Sequence, residues 1–297
     1  MKLWKMVVSF ICLLLLVSCS QSNSSASKNQ EEEQAMTKEE QPRIIATTLA
    51  ITEIMDKLNL DLVGIPTTQH TIPKKYEGVT EVGNPMSPDL EIIKSLNPTD
   101  VLSVSTLASD LKGSFEKMGV EGDFLTLDSV ENMLKTISDL GDKYNRKEEA
   151  SNLVASIESK INSVKEETKG KEAPTVLILL GVPGASYLVA TENSYVGNLV
   201  EVVGGKNAIT GQNVEYISAN TEYLQQTNAD VILRLSHGIP DQVAKEFEQE
   251  FKENDIWKHF EAVKNNRVYD LKEPIFATTA NLNIDEAINQ LIEMLYE

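Results

Sequence analysis

Val231-Ile232-Leu233-Arg234-Leu235-Ser236-His237-Gly238-Ile239-Pro240 is the stretch whose reading decides the fold. Its apolar run reads as a buried strand, and Gly238 and Pro240 are the stop signals that end it. In open α/β sheets, ligand-binding groups stand on loops just past the carboxyl ends of the strands. His237 occupies such a place, so the rest of the chain can be read by asking what it would hold there.

Working back from this strand, similar signals recur. Arg43 to Ala46, Leu62 to Pro66, Val101 to Val104, Phe124 to Leu127 and Val176 to Leu180 read as strands. Between them, Leu49, Ile51, Ile54, Met55 and Leu58 recur at helical spacing, with Thr47 or Thr48 as the cap. Ser87 is expected to cap, and Pro88 to begin, a short helix through Leu90, Ile93 and Leu96. Leu107 to Met118, Val130 to Tyr144 and Ile284 to Tyr296 read as further helices. From Lys147 to about Lys169 there is no Gly or Pro, and Leu153, Ile157, Ile161 and Val164 keep helical spacing. This predicts one long helix, stiff enough to join two α/β lobes.

The start of the chain is of another kind. Lys2 and Lys5 precede an apolar segment from Met6 to Val17, with the pattern of a secretory signal. It is shorter than the roughly 20 residues a membrane-spanning helix needs. It runs into Leu16-Val17-Ser18-Cys19, which looks like a bacterial lipobox. A lipidated Cys19 would carry enough acyl chain for stable anchoring. Cys12 would leave with the signal, so the mature chain would form no disulfide and no thiolate metal site. Ser20 to Gln41 is rich in Ser, Asn, Gln and Glu and reads as a disordered tether. The expected organisation is therefore signal 1–18, tether 19–41, first α/β lobe 42–145, linking helix 146–170 and second α/β lobe 171–297.

The formal net charge is -18, and loss of Lys2 and Lys5 makes it -20. Such acidity argues against nucleic acid or anionic lipid as a partner and permits a basic protein surface. An enzyme finds no support either. There is no Gly-x-Ser-x-Gly elbow, no phosphate loop ending in Gly-Lys, and no Glu-flanked His pair. Three scattered histidines do not make a bare metal site.

Ser87-Pro88-Asp89-Leu90-Glu91 leads through Asn97-Pro98 to a strand, and Asn220-Thr221-Glu222-Tyr223-Leu224 leads to Val231 in the same way. Each glutamate falls in the first turn of a helix that feeds a strand. Ordinary helix-start chemistry explains this equally well, since Glu is favoured there.

With these features in view, the chain resembles the substrate-binding lipoproteins of bacterial iron, siderophore and vitamin B12 importers. The resemblance rests on the lipobox, the polar tether, two lobes joined by one long helix, and the paired glutamates. It is closer to the haem receptor lipoproteins of the iron-regulated surface determinant system. That likeness is carried by Val82-Gly83-Asn84-Pro85-Met86, Val101 to Ser105, Val176 to Gly184, Leu233 to Gly238 and Asn254 to Phe260. It implies a non-enzymatic protein on the outer face of the cytoplasmic membrane, held there by its lipid only. Such a protein takes haem from upstream cell-wall haem-binding proteins and passes it to an ABC permease. A siderophore or cobalamin binder is the alternative.

The resemblance also implies site residues. Met86, between two prolines, and His237 would be the axial ligands of the haem iron, one from each lobe, and Met with His is a known haem pair. Taken alone, Met86 fits core packing and His237 fits a capped strand end. No arginine cluster offers itself to the propionates. Backbone N–H groups at a helix start can bind carboxylates instead, at Thr48-Leu49-Ala50 or in the Thr67-Thr68-Gln69 loop. Glu91 and Glu222 would dock on permease arginines. His70, in that second loop, could approach the ligand but is favoured as a solvated loop residue, and His259 reads as packing beside Trp257. Tyr187 and Tyr195 fit the pocket wall or the core, where tyrosines near strand ends are common, and Arg234 fits a partner within the cleft or a lobe carboxylate.

Overall fold

A computed structural model describes residues 41–183, 187–220 and 224–297. In chain order the first lobe runs β1 (Ile44–Ala46), α1 (Leu49–Lys57), β2 (Leu62–Ile65), β3 (Thr80–Glu81), β4 (Gly83–Asn84), β5 (Ser87–Pro88), α2 (Leu90–Ser95), β6 (Asp100–Val104), α3 (Ala108–Met118), β7 (Gly122–Leu125) and α4 (Val130–Lys143). The long helix α5 (Lys147–Thr168) follows. The second lobe runs β8 (Thr175–Gly181), β9 (Leu188–Ala190), α6 (Tyr195–Val202), β10 (Lys206–Asn207), β11 (Tyr216–Ser218), β12 (Val231–Ser236), α7 (Pro240–Glu253), α8 (Glu261–Lys264), β13 (Val268–Leu271) and α9 (Ile284–Tyr296).

The first sheet has five strands in the order β3-β2-β1-β6-β7, all parallel. Parallel strands covered on both faces read as continuous apolar runs, and β1 is buried throughout. The second sheet has six strands and is mixed. β8, β12 and β13 are parallel, whereas β9 runs antiparallel to β8, and β11 antiparallel to β9, on the β8 side. The two lobes are therefore less alike than the sequence suggests. β12 sits between β8 and β13 and is buried at every residue.

At roughly 1.5 Å per residue, α5 spans about 33 Å. It buries Ala150, Ile157, Ile161, Val164 and Thr168 and packs on α4, α1, α6 and α9. One hydrophobic cluster runs from Ile44 and Ile51 of the first lobe, through Ala150, Ile157, Ile161 and Val164 of α5, to Val176 and Leu291 of the second. The helix is thus a packed spine and not a bare linker. A second cluster, centred on Trp257, fills the other face of the second sheet against α7.

Three local expectations need correction. Ser87 and Pro88 do not start a helix. They form β5, paired with β4 in a tight hairpin. Asp89 is the cap instead, its Oδ1 accepting from the N–H groups of Glu91 and Ile92 at 3.0 and 3.1 Å. A carboxylate that reaches two first-turn donors offers more than the Ser hydroxyl. β7 begins two residues earlier than the sequence suggests, at Gly122, where the bare Cα leaves room for the Phe115 ring. Leu107 belongs to a single 3-10 turn that precedes α3.

Candidate functional site

The carboxyl ends of the parallel strands converge on one cavity. β1 ends at Ala46 and leads to Thr48, whose side chain accepts from the Ile51 N–H and so caps α1. The first-turn N–H groups of Leu49 and Ala50 have no helical carbonyl to meet. β2 ends at Ile65 and leads to Thr68 and His70, tied by an N–H donated from His70 to Thr68 Oγ1 at 3.1 Å. β6 ends at Val104 and leads to Thr106 and Leu107. From the second lobe, β12 ends at Ser236 and delivers His237, and β13 ends at Leu271 and delivers Glu273. Of these, Thr48, Leu49, Ala50, Thr68, His70, Val104, Thr106, Leu107, His237 and Glu273 line a cavity of about 260 Å³, together with Glu53, Pro85, Met86 and several residues between Pro274 and Asn283.

Met86 stands at the tip of the β4–β5 hairpin. Gly83 takes a left-handed backbone (φ +95), and any side chain there would press on the Asp89 backbone nitrogen at 3.0 Å. The Asn84 side chain accepts from the Met86 N–H at 2.9 Å and holds the turn. Met86 is 63% exposed, so it is not a core residue. Met86 stands exposed on a pinned turn at the cavity wall.

His237 follows a strand buried at every position, and Gly238 (φ +81) turns the chain away from it toward α7. Its Nδ1 lies 3.0 Å from Glu273 Oε1. An ionised carboxylate only accepts, so this contact takes an N–H from Nδ1 of His237 and leaves Nε2 as the ring nitrogen not engaged by Glu273. The other oxygen of Glu273 lies 3.4 Å from His70 Nε2, which comes from the first lobe. Burial opposes ionisation of Glu273, but the two histidines outweigh it and hold the carboxyl below the usual range. Glu53, one turn into α1, is pushed the other way by burial, against the opposing charges of His70 and Lys57.

Of the residues singled out from sequence, Thr48, Leu49, Ala50, Thr68, Met86 and His237 line the cavity, and Gln69 does not. Gln69 is exposed. His70 is no solvated loop residue; it lines the cavity and meets Glu273. Tyr195 is fully buried in the core, and Tyr187 packs on Phe247 and Trp257, so neither belongs to the wall. Arg234 faces away from the cavity. It pairs with Asp270 through two 2.7 Å bonds across the β12–β13 register, and its guanidinium stacks on Phe251. His259 is exposed, and Trp257 does the packing. Glu91 is exposed in the first turn of α2. Cys19 and Glu222 lie outside the described residues.

The sequence reading missed Glu273 and the Pro274 to Asn283 run. The rule that pointed to His237 would have found Glu273, since Leu271 ends a strand two residues before it.

A family model described as "Periplasmic binding protein" matches residues 44–275. The high-affinity heme uptake system protein IsdE of Staphylococcus aureus (strain Newman) is 48% identical over 266 residues, covering 88% of this chain and 89% of that one. Among solved structures, S. aureus IsdE complexed with heme superposes with a TM-score of 0.83 at 48% identity, over 86% of this chain and 99% of that one. An ABC transporter substrate-binding protein from Listeria monocytogenes EGD-e gives the same TM-score of 0.83 at 55% identity, over 86% and 99%. Two sheets with their strand ends facing one cavity, a spine helix between them, and this match over most of the folded region lead to one conclusion: the chain belongs to the periplasmic binding protein family.

Proposed function

We propose that this chain captures haem in the cavity between its lobes and delivers it to an ABC permease for iron uptake. The observation that carries the reading is the cavity wall. It presents an exposed methionine from a pinned hairpin, and a histidine whose Nδ1 is occupied by a carboxylate. A porphyrin supplies four nitrogens to its iron and needs only two more ligands. Met86 and His237 fill those positions, and Met with His is an established haem pair. Among the described residues, no group of three or more His, Cys, Asp or Glu is arranged to hold a bare metal ion. The described wall also carries no Arg or Lys to meet an anionic siderophore chelate. The relationship to IsdE, solved with its haem, supports the same ligand.

The propionates are met by backbone donors in this reading. The start of α1 at Thr48, Leu49 and Ala50 offers N–H groups and the positive end of a helix dipole. Thr68 adds a hydroxyl. The raised Glu53 pKa moderates repulsion between that carboxyl and a propionate nearby.

The test is a haemin titration followed by visible spectroscopy. The wild type is expected to give a low-spin, six-coordinate spectrum. Met86→Ala is expected to keep haem bound but lose the sixth ligand, with a shifted Soret band and a lower reduction potential. An unchanged spectrum in Met86→Ala removes methionine from the assignment.

Anchoring and delivery complete the proposal. Cys19 is lipidated and holds the protein on the outer face of the cytoplasmic membrane. Among the described residues no helix is long and apolar enough to cross a membrane. Cys19→Ala is expected to abolish palmitate labelling and to leave a released or unprocessed protein; labelling that persists in the variant would place the lipid elsewhere. Glu91 and Glu222 dock the two lobes on permease arginines, as charge-assisted pairs that fix orientation. Exposed pairs contribute about 1 kcal/mol or less each. The double change Glu91→Ala with Glu222→Ala is therefore expected to leave haem affinity intact and impair growth on haem as the sole iron source. Normal growth at wild-type protein levels counts against docking through these two residues.

A further inference from the structure

The Glu273 carboxylate sits between two imidazoles that come from different lobes. Its Oε1 lies 3.0 Å from Nδ1 of His237, and its Oε2 lies 3.4 Å from Nε2 of His70. Only 14% of its side chain is exposed, so water competes weakly for either oxygen. Glu273 leads off the end of β13, the neighbour of the strand that delivers His237, and the Leu235↔Leu271 pairing sets the two residues side by side.

We propose that Glu273 is a positioning residue that sets the donor strength of His237, and that His70 moderates it from the opposite lobe. The proposal rests on the reading of His237 as an iron ligand. Ligating histidines commonly give their second N–H to a carboxylate, which fixes the ring and raises its basicity. A more basic imidazole favours ferric over ferrous iron and lowers the reduction potential. Here the carboxylate is shared. The His70 ring nitrogen, 3.4 Å from the other oxygen, holds part of its charge, so less remains for His237. Through that one carboxylate, a residue that does not touch the iron from the first lobe adjusts a ligand held by the second. The electronic state of the bound haem thereby depends on how the lobes meet.

The two contacts make predictions of opposite sign. Glu273→Gln keeps the shape of the side chain but loses its charge. It is expected to weaken ferric binding relative to ferrous about tenfold, as losses of such outer partners do. For one electron that is about +59 mV. The low-spin spectrum persists. His70→Ala frees Glu273 to serve His237 alone and is expected to shift the potential the other way, by a smaller amount. A merely structural role for the cluster would move both variants in the same direction.

The experiment is spectroelectrochemical titration of the haem-loaded protein for wild type, Glu273→Gln and His70→Ala, with His237→Ala as the reference for ligation. Shifts of opposite sign support the proposal. Shifts of the same sign, or no shift in either, overturn it. If His237→Ala leaves the haem spectrum unchanged, the axial assignment itself fails. If His237→Ala removes the low-spin spectrum while Glu273→Gln keeps the wild-type potential, only the role of Glu273 falls. Should Glu273→Gln not fold, the sign of the His70→Ala shift still decides, since only a carboxylate shared with His237 yields a negative one.

Discussion

His237→Ala is expected to lower haem affinity by more than about 100-fold. Loss of a group one shell beyond a metal typically costs 10–100-fold, and loss of the ligand itself costs more. The variant keeps β12, because Val231 to Ser236 are buried without help from the His237 ring. Gly238 still turns the chain into α7. Glu273 loses its 3.0 Å partner but retains His70. The fold should therefore survive, and the deficit should appear in binding. Haemin titration at the Soret band measures it, and added imidazole should restore part of the low-spin spectrum by occupying the vacated position. Affinity within threefold of the wild type would remove His237 from the site.

Trp257→Ala is expected to cost about 3–5 kcal/mol of stability, the range for truncating a large buried aromatic. Trp257 is fully buried. It stacks on Phe251 with ring centres 4.2 Å apart and meets Phe260 at 4.8 Å and Tyr187 at 5.6 Å. Its indole N–H donates to Glu250 Oε1 at 3.0 Å, which ties the 3-10 turn Asp255–His259 to α7. The cluster around it includes Leu177, Leu179 and Ile232 from the sheet and Val243 and Phe247 from α7. Truncation opens a cavity between that sheet and the helix that begins just after His237. Urea denaturation of the ligand-free protein checks the size of the loss. A change below about 1 kcal/mol would show that the cluster collapses onto the gap.

Glu273 shows where reading from sequence stops. Its place just past the end of β13 marks it as a candidate, but nothing near it in the chain names its partners. His70 is 203 positions away and His237 is 36 away, and the three meet only because separate strands end at one cavity. The Ser87–Pro88 hairpin shows a second limit. Locally, Ser followed by Pro reads as a helix start, and the pairing with Gly83–Asn84 that overrides it is a tertiary choice. Arg234 shows a third, since alternate residues of a strand face opposite ways. A charged residue three places before the site histidine points to the other side of the sheet, onto Asp270 and Phe251.

The sequence by itself determined the α/β class, the spine helix and the strand that delivers His237. Each is written in short-range order: apolar runs, helical spacing free of Gly and Pro, and stop residues. The tertiary structure alone decided that Met86 is exposed on a hairpin and that Gln69 does not line the cavity. It alone put His70, Glu273 and His237 in one chain of contacts. Periodicity records which face of an element is apolar. It does not record which other element will lie against that face, and a site built from the ends of several strands exists only after they have paired.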